Sequence, residues 1–597
     1  MRGTVRLSDY VANFIADHCA PHVFWVSGGG AMYLNESLAT HPRLTCIHTH
    51  HEQSAAMAAE AYARASGKIG VCHVTSGPGG TNAITGVVGA WQDSIPMLVI
   101  SGQASTDRRS SGTQLRQLGV QEFDIVPMVR HCTKYALTVT KPHEIRYVLE
   151  FARHVATTGR PGPVWIDLPI DVTNANIDPA KLRGFSVAAD NPVWADVYLT
   201  DKLDRALEML LDAKRPVLIA GHGIRLANAV DEVRALVHEA NIPVVPSWNA
   251  QDMFDADEIA GKMGFFGDRA GNFTVQNADL ILAVGTRLSV PMIGHDPDKF
   301  APHAQKIVVD IDPAELGKPT LRPDLPIQAD AKDFLAGLLE RVRERRFRMG
   351  QVWPDRIKAW KARYPVVLPE YRSLPDKVNS FHFVEELCKR LDESAVVVTD
   401  MGASFTATHQ AFAAKHGQRL FTSSALASMG YGLPAAIGAH YATGKRVVCI
   451  TGDGGIMFNL QELQTIVHHR IPITIFVLEN RGYLTMKLTQ TSHFGHLTGS
   501  DPESGVSCPD FWQVARAFGV QAYDARAEDL DDALNCALGR YNGPFLCVIH
   551  MPEMQPLIPR VQTAKGPDGT LIPGALENMF PFLPADELAR FPVGMGA

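Results

Sequence analysis

Short, nearly continuous apolar runs alternate along this chain with longer stretches in which apolar residues recur every three or four positions. The runs include Val71–Thr75, Met97–Ser101, Arg215–Ala220, Leu280–Val284, Val396–Thr399, Val447–Thr451 and Ile473–Leu478. Runs of this length, rich in β-branched residues, read as strands buried on both faces, as in parallel sheets. Between them lie segments of helical period. Leu7–His18 is amphipathic with Ser8-Asp9 as its start signal, and SAAMAAEAYARASG, opened by His50-His51-Glu52-Gln53, is closed by Gly67. Further strands are expected at Val23–Val26, Thr45–His48 and Ile307–Ile311, several of them running into glycine-rich turns such as Ser27-Gly28-Gly29-Gly30. Strand and helix in regular alternation predict an α/β protein.

The most informative stretch is Val447–Tyr483. A strand over Val447–Thr451 ends in Gly452-Asp453-Gly454-Gly455. Asn459, with Glu462 three residues on, reads as a capping box and predicts a helix from about Leu460 to His468-His469-Arg470. A second strand, Ile473–Leu478, ends in Glu479-Asn480. A right-handed crossover brings the carboxyl ends of both strands to one edge of a parallel sheet. Asp453 and Asn480 can then face one cation. Few protein ligands, all oxygen, suit Mg²⁺, and nearby glycine N–H groups suit a diphosphate.

Size and charge change the picture only by exclusion. At 597 residues the chain is too long for one core, so about two to four domains are expected. A net charge of −7 with no basic cluster speaks against nucleic acid. Charges interrupt every apolar run of MRGTVRLSDYVANFIADHC, which reads as neither signal peptide nor membrane span. Nine scattered cysteines without a CxxC pair fit a reducing cytoplasm rather than a disulfide framework or a zinc site.

GDGG followed after 24 residues by Asn resembles the thiamine-diphosphate motif of the pyruvate-decarboxylating enzymes. HEQ-x₇-AYAR, TSGPGGTN and IPMLVISGQ resemble the acetohydroxyacid (acetolactate) synthase branch over most of the first segment, and VQNADLILAVGTRL and GYGLPAAIGA extend the likeness. The resemblance implies three doubly wound parallel-sheet domains. These are a pyrimidine-binding domain over 1–190, a central domain over 191–345 and a diphosphate-binding domain over 376–560, the last two joined by a linker over 346–375. A tail over 561–597 reads as an active-site lid or a surface-hugging extension.

Site residues follow from the same resemblance. Asp453 and Asn480 would bind Mg²⁺ by side chain, and Gly482 by its carbonyl. Gly452, Gly454, Gly455, Tyr483, Gly402 and Ser428 fall at cofactor-binding positions. Ser404 stands where the branch has one of two diphosphate contacts, and Met429 where a bulky apolar residue bends the cofactor. Glu52 would hydrogen-bond the aminopyrimidine ring; a carboxyl buried against an apolar ring can hold or shuttle a proton near neutrality. Gly29 would offer a backbone N–H to the reacting carbonyl oxygen. Gln121 would lie near the substrate, with Val120 in place of the family's phenylalanine.

Thr489 replaces the tryptophan that in acetolactate synthases selects 2-ketobutyrate, which implies a different, bulkier acceptor, with Met486 and Lys487 on the same wall. Arg287, Gly221 and Asp312 fall where the branch holds FAD, although FFGDRAGNF departs from its usual loop. The ending PRVQTAKGPDGTLIPGALENMFPFLP resembles a sub-branch that joins a two-carbon unit from pyruvate to a CDP-linked 4-keto-dideoxyhexose. The family builds each site between subunits, so a homodimer or homotetramer is implied, acting on a 2-keto acid donor and a carbonyl acceptor. The alternatives are an acetolactate synthase catalytic subunit, a 2-keto acid decarboxylase, a 2-hydroxyacyl-CoA lyase and a thiamine-diphosphate-binding scaffold.

Overall fold

A computed structural model of the chain describes residues 3–187, 199–539, 542–565, 571–572 and 574–588. Its apolar runs form three parallel sheets. The first holds β1 (His22–Trp25), β2 (Thr45–His48), β3 (Gly70–Val74), β4 (Met97–Gln103), β5 (Tyr135–Thr138) and β6 (Pro163–Pro169), in the order β2-β1-β3-β4-β6-β5. The second holds β7 (Pro216–Ala220), β8 (Val244–Pro246), β9 (Leu280–Val284), β10 (Gln305–Asp310) and β11 (Leu325–Gln328), in the order β8-β7-β9-β10-β11. The third holds β12 (Val396–Thr399), β13 (Arg419–Phe421), β14 (Val447–Gly452), β15 (Ile473–Glu479), β16 (Gln521–Ala525) and β17 (Phe545–His550), in the order β13-β12-β14-β15-β17-β16. In each sheet the order reverses beside the first strand, a switch point outside which ligands bind in open α/β folds.

Two helices of small residues bring the first and third sheets together. Glu52–Ser66 is almost wholly buried, and Gly432–Thr443 lies across it. A Cβ at Gly438 would overlap the carbonyl oxygen of Ala58, so the two backbones touch. Alanine-rich faces allow this approach, and residues of both sheets, such as Phe24, Val99, Val398 and Ile475, join one apolar core. The central sheet keeps cores of its own. Its loop Gly261–Asp268 is tied to the third sheet by a buried cation. Lys262 Nζ donates to the carbonyls of Gln410 (3.1 Å) and Phe412 (2.8 Å), at the C-terminal end of the helix Ala403–Ala411. Burial lowers Lys262 to about 8.

Strand positions read from the sequence agree within two residues, and Leu7–His18 is a helix over those same residues. The helix expected from Leu460 is different. A short turn, Asp453–Ile456, comes first, and the helix proper is Glu462–His468. Asn459 does not cap it. Its Oδ1 accepts from Ser54 (2.9 Å) and its Nδ2 donates to the Gly430 carbonyl (2.7 Å). Glu462 receives the His50 N–H at 3.1 Å and the Thr465 hydroxyl at 2.7 Å. Both halves of the expected capping box are used to join the first and third sheets instead.

Residues 346–375, expected as a surface linker, contain a helix, Val352–Arg363, whose Trp353, Ile357 and Trp360 are buried in the central core. The described part of the tail runs back over that domain. Leu576, Leu583 and Leu588 pack on the same core, Arg269 donates to the Met579 carbonyl at 3.2 Å, and Gln276 donates to Glu577 at 2.8 Å. That part therefore hugs the central domain. Among the described residues no helix is long and apolar enough to cross a membrane.

Candidate cofactor site

β14 and β15 are neighbours, so Asp453 and Asn480 meet at one sheet edge. The Asp453 carboxylate is fully buried. It accepts from three backbone N–H groups: Gly454 at 2.8 Å, Gly482 at 2.9 Å and Asn480 at 3.0 Å. Burial pushes the carboxyl up to about 6, against the pull of those three donors. The side-chain oxygen of Asn480 is buried and has no hydrogen-bond partner among the described residues. A buried acceptor left bare costs about 1–3 kcal/mol unless something binds it. Beside a carboxylate, a cation meets that need, and so this oxygen pair fits Mg²⁺.

The turns around the pair are tightly fitted. Gly482 has φ +125°, and a Cβ there would overlap the Ser500 carbonyl. A Cβ at Gly454 would run into the Tyr483 ring, so the ring and the glycine turn lie in contact. Gly452 and Gly455 flank Asp453 at the end of β14. Lys487, expected on an acceptor wall, is buried and donates to the Asn480 carbonyl at 2.8 Å. It ties its helix to the loop that follows β15. Met486 and Thr489 are exposed on the same helix, Leu484–Phe494. The three residues therefore do not share one wall: helical spacing turns Lys487 inward and the other two outward.

A second carboxylate organises the neighbouring turns. Asp400, at the end of β12, is buried and accepts from Met401 N–H (2.8 Å), Gly430 N–H (3.0 Å) and the Thr451 hydroxyl (3.0 Å). Sequence reasoning passed over it as part of a turn. The signal available was its place, a lone Asp closing a buried strand. Gly402, with φ +87°, opens the helix Ala403–Ala411. Ser404 is fully buried, and its hydroxyl donates to the carbonyls of Asp400 and Met401, both at 3.1 Å. It is thus spent on its own helix turn. Ser428 Oγ is buried without a partner among the described residues, and Met429, half-buried, follows it.

In the first domain, Glu52 is the first residue of its helix because His51 caps it, Nδ1 accepting from Gln53 N–H at 3.1 Å. The Glu52 side chain is buried, and Oε2 accepts from Asn82 at 3.0 Å. The three glycines after β1 differ. A Cβ at Gly28 would collide with Thr75 and one at Gly30 with Ser76, whereas at Gly29 it would meet nothing within 4 Å. Gln121 is exposed, has φ +52°, and lies with its carbonyl against Gly77. Its loop is anchored from below. Gln103 Nε2 donates to the Phe123 carbonyl (2.7 Å) and to Asp167 (3.2 Å). Asp167, on β6, also accepts from Ser101 and Thr138, and burial raises it to about 6. Asp167 gave no signal in the sequence, being one polar residue inside a strand.

A separate cavity of about 720 Å³ lies at the carboxyl ends of the central strands, walled also by the first and third domains. Arg287 lines it, together with His222, Trp248, Asp310, Asp93 and Ser424. Gly221 packs against Gly285, where a Cβ would overlap the Gly285 carbonyl. Asp312 is engaged elsewhere: it accepts from Arg160 at 3.0 Å and caps the helix Pro313–Leu316.

Comparison with known proteins accounts for all three domains. The chain matches the N-terminal TPP binding domain of thiamine pyrophosphate enzymes over residues 5–128, their central domain over 203–338 and their C-terminal TPP binding domain over 400–549. It is 35% identical over 549 residues to a probable acetolactate synthase large subunit of Methanocaldococcus jannaschii, covering 89% of this chain and 90% of that protein. It is 33% identical over 551 residues to the acetolactate synthase isozyme 2 large subunit of Escherichia coli, covering 90% and 94%. The isozyme 3 large subunit of Escherichia coli is likewise 33% identical, over 547 residues, covering 89% and 92%. With matched domains in the same order as its three parallel sheets, the chain belongs to the thiamine pyrophosphate enzymes and is a thiamine-diphosphate-dependent enzyme of the acetolactate synthase-like kind.

Proposed function

We propose that the enzyme uses thiamine diphosphate and Mg²⁺ to decarboxylate a 2-keto acid, pyruvate foremost, and joins the remaining two-carbon unit to a carbonyl acceptor such as a keto sugar or another bulky ketone. The observation that carries the cofactor reading is the bare, buried Asn480 oxygen beside the Asp453 carboxylate. Asp453, Asn480 and the Gly482 carbonyl would hold the metal. Gly402, Ser428, Gly452, Gly454, Gly455 and Tyr483 would receive the diphosphate half, Ser404 supporting the turn, and Met429 would press against the cofactor's bend. Thiamine diphosphate supplies an acidic carbon and an electron sink for decarboxylation.

The first domain would supply activation. With Asn82 on one oxygen of Glu52, the other would be left to hydrogen-bond the aminopyrimidine ring and relay a proton to it. Gly29 is free of steric demands from its own chain, which supports an approach by substrate to its N–H. Gln121 would meet the substrate from a loop held by Gln103. Exposed Met486 and Thr489, with no bulky ring at the latter, support an acceptor larger than a simple keto acid.

Apolar residues flank both halves in sequence and are exposed: Val120 at 89%, Phe458 at 51% and Met32 at 50%. A second copy of this chain is the partner we assign, in a homodimer or dimer of dimers, and these exposed side chains beside the site residues are available to meet it. The 720 Å³ cavity falls in the range of cofactor pockets, and FAD is the occupant we propose, with Arg287 on its wall. Nine unpaired cysteines support a reducing compartment, the cytoplasm.

A second reading, an acetolactate synthase catalytic subunit, is supported by the relatives' names. One assay separates the two. CO₂ release from pyruvate is measured with thiamine diphosphate and Mg²⁺, and product mass is read with and without a nucleotide-linked 4-keto sugar. A mass of sugar plus acetaldehyde is the expected result. Acetolactate in both reactions returns the protein to the synthase reading. Absence of CO₂ removes pyruvate as donor.

A further inference from the structure

The large cavity and the cofactor loop are joined by a buried charge chain that the chemistry above does not use. At the cavity end, both oxygens of Asp93 are taken by Ser424: Oδ2 accepts its N–H at 2.8 Å and Oδ1 its hydroxyl at 2.9 Å. Asp93 and Ser424 both line the cavity. Arg64 then donates to Asp93 at 2.9 Å and, through Nε, to Glu60 at 3.1 Å. Glu60 in turn accepts from the Tyr431 hydroxyl at 2.5 Å. Arg64, Glu60 and Tyr431 are each at least nineteen-twentieths buried. Tyr431 directly follows Gly430, which Asp400 and Asn459 hold, and Ser428 and Met429 precede it.

The chain of contacts has two features that favour transmission over simple stability. First, its ends sit on one loop: Ser424 and Ala425 touch the cavity, and Ser428 to Tyr431 shape the cofactor turn. Second, Arg64 Nη1 and the cavity-lining His222 Nε2 are buried and without partners among the described residues. Burial and the neighbouring Arg64 hold His222 neutral, lowered to about 3. The His222 acceptor is thus left on the cavity wall, and an occupant that shifts the Asp93 or Ser424 side chain there would move Arg64, and through Glu60 the tyrosine.

We propose that Ser424–Asp93–Arg64–Glu60–Tyr431 is a positioning network that couples occupancy of the central cavity by a flavin dinucleotide to thiamine diphosphate binding at the Ser428–Gly430 loop. The inference rests on the readings of the cavity and of the cofactor loop given above. Coupling between two ligands is a free energy, and it is reciprocal: each must tighten the other by the same factor. Loss of packing alone lowers stability or either affinity but leaves that factor unchanged, so the size of the factor is the readout.

The test is calorimetric titration of thiamine diphosphate at saturating Mg²⁺, with and without saturating FAD, and the reverse titration. In the wild-type protein each ligand is expected to tighten the other by the same factor, about fivefold or more. Tyr431→Phe removes the hydroxyl and Glu60→Gln the charge in the middle of the network, and neither residue lines the cavity. In both, the factor should fall towards one while each ligand still binds alone, with unfolding midpoints near wild type showing that the variants are folded. A wild-type factor of one, or variants that keep the wild-type factor, overturns the coupling. If FAD does not bind the wild-type protein, the flavin reading falls and the coupling with it, while the thiamine diphosphate reading stands. If thiamine diphosphate does not bind, the cofactor reading falls and the coupling with it.

Discussion

The first and third sheets have the same frame and different rims. Numbered within each sheet, both run in the order 2-1-3-4-6-5. After the first strand, one continues into Gly28-Gly29-Gly30 and the other into Asp400-Met401-Gly402. After the third strand, one continues into Thr75-Ser76-Gly77-Pro78 and the other into Asp453-Gly454-Gly455. The third sheet thus has a buried carboxylate beyond its first strand and at its third, with Asn480 beyond its fourth. At the corresponding turns the first sheet offers glycine, serine and threonine. Its chemical carboxylate, Glu52, comes instead from the helix that follows its second strand. On the proposed reading one topology would serve for anchoring in one place and for activation in the other, because chemistry is set by the residues grafted on a fold and not by the fold itself.

The account predicts that the two halves fail in different ways. Asp453→Ala should remove Mg²⁺-dependent thiamine diphosphate binding, weakening it by more than the roughly 100-fold seen for losses outside a metal's ligand set; calorimetry reads it, and retained affinity would end the anchoring role. Glu52→Ala should leave that affinity within about tenfold but slow turnover by about two orders of magnitude or more. Near-normal turnover would remove Glu52 from the mechanism.

Glycines sharpen the contrast within one turn. Gly30→Ala must displace Ser76 and should cost about 1–3 kcal/mol of stability in denaturant unfolding. Gly29→Ala meets nothing within its own chain and should unfold as wild type does, with lower kcat/KM. The smallest expected effect is in pH. Asp167 sits at about 6 in the fold against an ordinary 3.8, raised by burial. The folded state then holds this proton more tightly than the unfolded state, so the contribution of Asp167 to stability falls as pH rises from about 4 to about 6. Asp167→Asn should remove that component of the stability–pH profile; an unchanged slope over that window would place the titration elsewhere.

Much of this was readable in the sequence, and the reasons differ by element. Continuous apolar runs located the buried strands because parallel strands covered on both faces leave no ambiguity of period. Asp453 and Asn480 were legible because two adjacent strands fix where their ends meet. Asn459 and Glu462 misled because a local capping pattern cannot show a competing partner far along the chain: Ser54 and His50 lie more than 400 residues away. Lys487 was placed on the wrong face of its helix because a resemblance at Thr489 carries no information about which neighbours turn inward. Asp167 was hidden because a single polar residue in an apolar strand gives no periodic signal, and Asp400, just past its strand, was passed over because only the assembled loops reveal its donors.

The central claim is that the first domain activates a cofactor that the third domain anchors. Hydrogen–deuterium exchange at the C2 carbon of bound thiamine diphosphate, followed by rapid acid quench and proton NMR, tests it most directly. Wild-type protein with Mg²⁺ should exchange this proton far faster than the free cofactor, and Glu52→Gln, with the cofactor still bound, should slow exchange by about two orders of magnitude. Equal exchange rates in the wild-type and Glu52→Gln proteins, both saturated with cofactor, would contradict the division of labour between the two sheets.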